Sequence, residues 1–166
     1  PAIPGLRPAE LAVRHAREKL TAALAQGEPE LPIVAADTVV DRDGAVFGKP
    51  QDAPDATRML RLLSGREHRV HTAFALAIPG RDQWFEECST AKVRFYPLGF
   101  DEIAEYVATG EPLDKAGAYG IQGRAAALVE AIDGDFYTVM GFPLARFVRA
   151  LRRLGFSLPT AKPIAP

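Results

Sequence analysis

The sequence predicts one α/β domain, a mixed sheet with helices packed on it, and three observations carry that prediction. Apolar patterns of helical period and of strand alternation are interleaved along the chain. Two alternating runs are joined by a tight Pro-Gly turn, so at least one strand pair is antiparallel. The 166 residues, 48% hydrophobic and 25% charged, fall in the range of a single domain with a real core.

The elements follow in order. Pro8 to Gln26 sets Leu11, Ala16, Leu20, Ala23 and Leu24 on one helical face and ends near Gly27. LPIVAADTVV, 31–40, is a buried strand by its β-branched content. ArgAspGly at 42–44 turns the chain into a second short strand, with Gly44 supplying a positive φ. Asp52, three residues before Asp55, opens a helix with Pro54 in its first turn and Ala56, Met59, Leu60 and Leu63 on one side. Val70, Thr72, Phe74, Leu76 and Ile78 alternate over 69–78, and ProGlyArgAsp returns the chain into 84–96. Ile103, Tyr106 and Val107 mark a short helix, AALVEAI at 126–132 a strand, and Leu144 to Leu154 the last helix. The domain is expected over 1–159, with TAKPIAP at 160–166 as a loose tail.

Composition narrows the function. A net charge of -1 provides no broad field for a nucleic-acid backbone, so an anionic partner must be held by a few local cations. The lone Cys88 excludes an internal disulfide framework and a multi-Cys zinc site, which fits a reducing cytoplasm. No run approaches 18 apolar residues, so no membrane partner is expected.

Candidate chemistry concentrates in a few places. Asp37 stands at the C-terminal end of a buried strand, where open α/β sheets place their sites, either as a site carboxylate or as the cap of the following turn. Lys49, between Gly48 and Pro50, sits in a constrained turn that fixes the direction of its ammonium. EPLDKAGAYGIQG, 111–123, combines glycines that let main chain approach a ligand with Lys115, a point charge suited to phosphate. Gln122 adds a donor and acceptor pair suited to a base edge. His68 and His71, three apart in a strand, face opposite ways and cannot chelate one ion. Asp41 and Asp43 serve their turn, Cys88 is inert, and Ser64 belongs to a helix end.

Taken together, ADTVV at 36–40, GKP at 48–50, MLRLLSGREHRVHTA at 59–73, TGEPLDKAGAYGIQG at 109–123 and GDFYTVMGFPL at 134–144 resemble the Maf family of nucleoside triphosphate pyrophosphatases. DKAG followed by YGIQG resembles its dTTP- and UTP-hydrolysing branch. The resemblance implies an elongated mixed β-sheet flanked by helices, in two lobes around a central cleft. It implies hydrolysis between the α and β phosphates with a divalent cation, Mg or Mn. Asp37 is implied as proton acceptor and metal ligand, Lys19, Lys49 and Lys115 as triphosphate contacts, and Thr38 and Gln122 as determinants of substrate choice. A cytoplasmic homodimer that cleanses the nucleotide pool is the expected setting. A nucleotide-binding regulator of septum formation with little turnover is the alternative. The family's N-terminal strand and Ser-x-x-Arg-Arg-like phosphate loop are not in the sequence, whose PAIPGLRPAE looks like the segment just after them. Thr138 and Phe142 stand where relatives often carry Asn and Leu.

Overall fold

The computed structural model describes residues 5–27 and 30–156. Helix α1 (Pro8–Leu24) begins with Pro at its first position, and the Arg7 amide donates to Glu10 Oε2 at 2.9 Å. Its buried stripe is Leu11, Ala12, Ala16 and Leu20. A fully buried leucine of this kind is worth about 2 kcal/mol.

Strand β1 (Ile33–Arg42) turns through Asp43 (φ 54°) and Gly44 (φ 83°) into β2 (Ala45–Phe47). The turn is fastened by Gly44 N donating to Asp41 Oδ2 at 3.0 Å. Helix α2 (Ala53–Leu63) is capped by Asp52, whose side chain accepts from Asp55 N at 2.8 Å. Ser64 ends it and takes a hydrogen bond from Leu98 N at 2.7 Å. Strands β3 (Glu67–Ala77) and β4 (Phe85–Phe95) form the long hairpin, followed by helix α3 (Phe100–Ala108). After three 3-10 turns come β5 (Val129–Asp133), α4 (Phe136–Met140) and α5 (Leu144–Arg153).

The sheet order is β2-β1-β3-β4-β5, flanked by helices as expected for an α/β fold. Among the described residues every ladder is antiparallel, so no parallel pair accompanies the antiparallel ones. The crossover through α2 returns β3 beside β1 in the opposite direction, pairing Ile33 with Ala77 and Asp41 with Arg69. Two cores lie on the two faces. Helix α1 covers Val39, Ala73, Ala75 and Ala77, while α2 and α3 enclose Val40, Val70, Val93 and Phe95 with Tyr119.

Two segments differ from the sequence reading. The apolar stretch at 126–132 is a 3-10 turn through Leu128 and a strand only from Val129, because Ala125 and Leu128 turn into the core. A short apolar run does not distinguish the two by periodicity. Helix α4 was not foreseen, since its β-branched and aromatic residues read as extended. Its signals are at its ends: Asp135 accepts from Tyr137 N and Thr138 N, and Gly141 (φ 111°) stops it. Phe142 packs against Phe74 and Phe147, with ring centroids 6.1 and 5.0 Å away, and seats α5 on the sheet. The 160–166 tail lies outside the described residues.

Candidate active site

Strand β2 pairs with β1 only from Val40 to Arg42, and among the described residues the edge of β1 before Val40 has no strand beside it. A cleft of about 280 Å³ opens along that edge. Because it wraps an edge rather than a face, successive side chains of one strand line it together. Lys19, Asp37, Thr38, Lys49, Lys115 and Gln122 all line this cleft. The sequence reading had placed Asp37 at a strand end. The strand instead continues to Arg42, and Asp37 sits at mid-strand on its open edge, with no turn to cap.

The electrostatics are compact. Asp37 Oδ1 accepts from Lys19 Nζ at 2.6 Å, and Oδ2 lies 3.0 Å from His15 Nδ1. Lys19 and His15 are four apart on α1, so one helical face delivers both to the strand edge. Lys19 also donates to the Ala36 carbonyl at 3.0 Å. On the opposite wall Lys115 Nζ meets Asp114 at 2.7 Å and, by that hydrogen bond, holds its carboxyl below the usual range. Lys49 forms no ion pair among the described residues. Three ammonium groups thus face two carboxylates around the cleft.

The loop bearing Lys115 and Gln122 is tied down at several points. Gly117 N donates to the Gly48 carbonyl at 3.0 Å, which couples the Lys115 and Lys49 segments. Gly117 has φ 72°, and a Cβ there would lie 3.1 Å from a Val40 methyl, so glycine is required twice over. Further on, Glu111 accepts from Tyr106 Oη at 2.9 Å and from Arg124 N at 3.0 Å. Burial opposes ionisation of Glu111, yet those donors and the Ala125 amide hold its carboxyl below the usual range. Tyr106 Oη in turn accepts from Gly120 N at 3.2 Å. Gln122, exposed, is therefore bracketed by backbone fastened on both sides.

Behind Thr38 runs a hydroxyl chain. Thr38 Oγ1 is 2.9 Å from Thr72 Oγ1, and Thr72 Oγ1 donates to the Thr138 carbonyl at 2.7 Å. Thr138, fully buried, bonds Ser89 Oγ and Asp135 Oδ2, each at 2.8 Å. His71 and His68 point to opposite faces: His71 bonds Asp41 at 2.6 Å and Thr90 at 2.8 Å, while His68 meets Tyr119 Oη at 2.8 Å. Cys88 is half-buried, and burial pushes its thiol up.

The sequence reading missed His15, Tyr106, Glu111 and Thr72 as parts of the site. His15 was detectable from its i,i+4 spacing to Lys19. The others act through backbone or a second hydroxyl, partners that their place in the sequence does not reveal. Among the described residues no group of three or more His, Cys, Asp or Glu could hold a metal ion. One carboxylate such as Asp37 does suit a magnesium-like ion that takes its remaining ligands from water and substrate phosphates.

A strand edge that gathers two carboxylates, three ammonium groups and a glycine-framed amide can receive a small, polyanionic ligand. This chain belongs to the Maf family: residues 2–154 match the family described as Maf-like protein. It is similar to the dTTP/UTP pyrophosphatase of Thermus thermophilus, 52% identical over 151 residues, 91% of this chain and 77% of that one. It is likewise similar to the dTTP/UTP pyrophosphatase of Geobacter sulfurreducens, 50% identical over 92% of this chain and 80% of that one. The protein of the same description from Bacillus velezensis is 48% identical over 89% of this chain and 76% of its own length.

Proposed function

We propose that this chain hydrolyses dTTP and UTP to the nucleoside monophosphate and pyrophosphate. The observation that carries the reading is the convergence of Lys19, Asp37, Thr38, Lys49, Lys115 and Gln122 on one cleft, in a chain whose Maf relatives are named for that activity. Asp37 serves as proton acceptor. Water attacks phosphorus, the α–β anhydride P–O bond breaks, pyrophosphate leaves, and the water's proton goes to the carboxylate. Lys49 and Lys115 take the charge that grows on the leaving pyrophosphate. Lys19 pairs with Asp37 in the free protein. An entering triphosphate offers Lys19 a more highly charged partner and frees an Asp37 oxygen for the proton.

A divalent cation, Mg or Mn, would be held by Asp37 together with the substrate's phosphates. When bound it supplies charge neutralisation and makes the attacking water more acidic. Thr38 and Gln122 address the base. Among the described residues no helix is long and apolar enough to cross a membrane. A cytoplasmic pool of nucleotides, served by a homodimer, is the setting we propose.

Phosphorus NMR of products formed from UTP tests the bond that breaks. UMP with pyrophosphate is the expected pair. UDP with orthophosphate would overturn α–β cleavage.

A further inference from the structure

Thr38 and Thr72 are cross-strand partners in the β1–β3 ladder, and their hydroxyl oxygens are 2.9 Å apart. Each hydroxyl has a single proton to give. Thr72, fully buried, gives its proton to the Thr138 carbonyl at 2.7 Å, an atom that can only accept. The Thr38–Thr72 contact is therefore a hydrogen bond only if Thr38 donates it. Thr38's proton is spent on the side away from the cleft, and what its oxygen presents to the cleft is lone pairs.

We infer that Thr72 is a positioning residue for base selection: it consumes the Thr38 proton and so makes Thr38 an obligate acceptor toward the base. The inference rests on the proposed nucleotide reading and adds the chemistry of the choice. Uracil and thymine carry a ring N3–H donor flanked by carbonyls. Cytosine has the same ring size but an N3 acceptor. An acceptor in the wall satisfies the first and leaves the second facing a lone pair, an unpaired polar contact that a buried site penalises. The order of protons is fixed one step further back. The Thr138 carbonyl belongs to α4, and that short helix is held by Asp135 accepting from Thr138 N at 3.0 Å. Nothing along the chain from Thr138 to Thr38 requires a charge.

Removing the Thr72 hydroxyl returns the Thr38 proton to use. In Thr72→Val, Thr38 can donate to cytosine N3 or accept from uracil N3–H, so the preference narrows. Thr72→Ser keeps the hydroxyl and with it the preference.

The test is equilibrium binding of the non-hydrolysable α,β-imido analogues of UTP and CTP to the wild type, Thr72→Val, Thr72→Ser and Thr72→Val/Thr38→Val. Circular dichroism and Tm establish that each variant is folded. The expected result is a UTP-over-CTP ratio that falls about tenfold in Thr72→Val through gained CTP affinity. Thr72→Ser should retain the wild-type ratio, and the double variant should lose the CTP gain. An unchanged ratio in folded Thr72→Val, or an equal change in Thr72→Ser, overturns the inference. A wild type that prefers the UTP analogue yet turns over no nucleotide would overturn hydrolysis and leave the base-reading role standing. A wild type that binds neither analogue overturns both.

Discussion

His68 is a residue whose chemistry is set by burial. It is fully enclosed between Phe95 and Tyr119, with ring centroids 5.0 and 5.4 Å away, and its Nδ1 is buried with no partner. Burial pulls its imidazole down to about 4 from an ordinary 6.5, against a small opposing pull from Asp41. The sign follows from which state binds the proton. Between those two values the unfolded ring is protonated and the folded ring is not, so acid favours unfolding. Stability is complete above pH 6.5 and should fall by about 3 kcal/mol as pH drops through 4. Urea unfolding at steps across that window measures the slope, and His68→Phe should flatten it whatever its own baseline. An equally steep slope in the variant would assign the acid sensitivity to other groups. At this scale the sequence was informative where a residue type implies a geometry. The opposite directions of His68 and His71 followed from strand alternation, and the turn duty of Asp41 from its place before Gly44. The tie from Asp41 to His71 did not follow, because it crosses from β1 to β3 and depends on their register.

At the scale of elements, the loop from Glu111 to Ala125 is a device for holding backbone in place. Gly117 answers both a left-handed φ and the closeness of Val40. Gly117→Ala should cost about 1–2 kcal/mol in urea unfolding and lower activity by displacing Lys115. Gly123 lies so near the Glu111 carboxylate that any Cβ there would collide with it. Glu111→Ala removes the acceptor for Tyr106, Arg124 and Ala125, and hydrogen exchange across 119–126 should quicken while α1 stays protected. KM for UTP should rise about tenfold with a smaller change in kcat, since the change moves Gln122 and leaves Asp37 untouched. Unchanged exchange rates would show that the loop stands without this carboxylate. Most elements were legible because each carries its own period or cap: α2 by Asp52, the β3–β4 hairpin by alternation, α1 by its leucine stripe. Helix α4 and the turn at 124–128 were not: α4 is five residues long, too short to show a helical period, and the turn follows from Ala125 and Leu128 entering the core. Thr138 likewise has surroundings set by the fold. Its hydroxyl serves Ser89 and Asp135, and only the folded chain brings those partners together.

For the whole molecule, the decisive feature is where the 36–38 stretch of β1 lies. It lets α1 deliver Lys19 from one face while the Lys115–Gln122 loop closes from the other. The five sequence segments that pointed to the Maf family are spread from 36 to 144, and three of them supply five of the six candidate residues while α1 adds Lys19. Their meeting in one cleft could be expected from the resemblance but not from composition or periodicity, which do not specify which segments come together in space. We propose that this edge is a pyrophosphate-releasing site with Asp37 as its proton acceptor. Pyrophosphate release from UTP and dTTP with Mg, measured on the wild type beside Asp37→Asn, tests it most directly. Steady release should fall by about two to four orders of magnitude in the variant, with Tm little changed. Full release by folded Asp37→Asn, or nucleotide bound by the wild type and never cleaved, would contradict it.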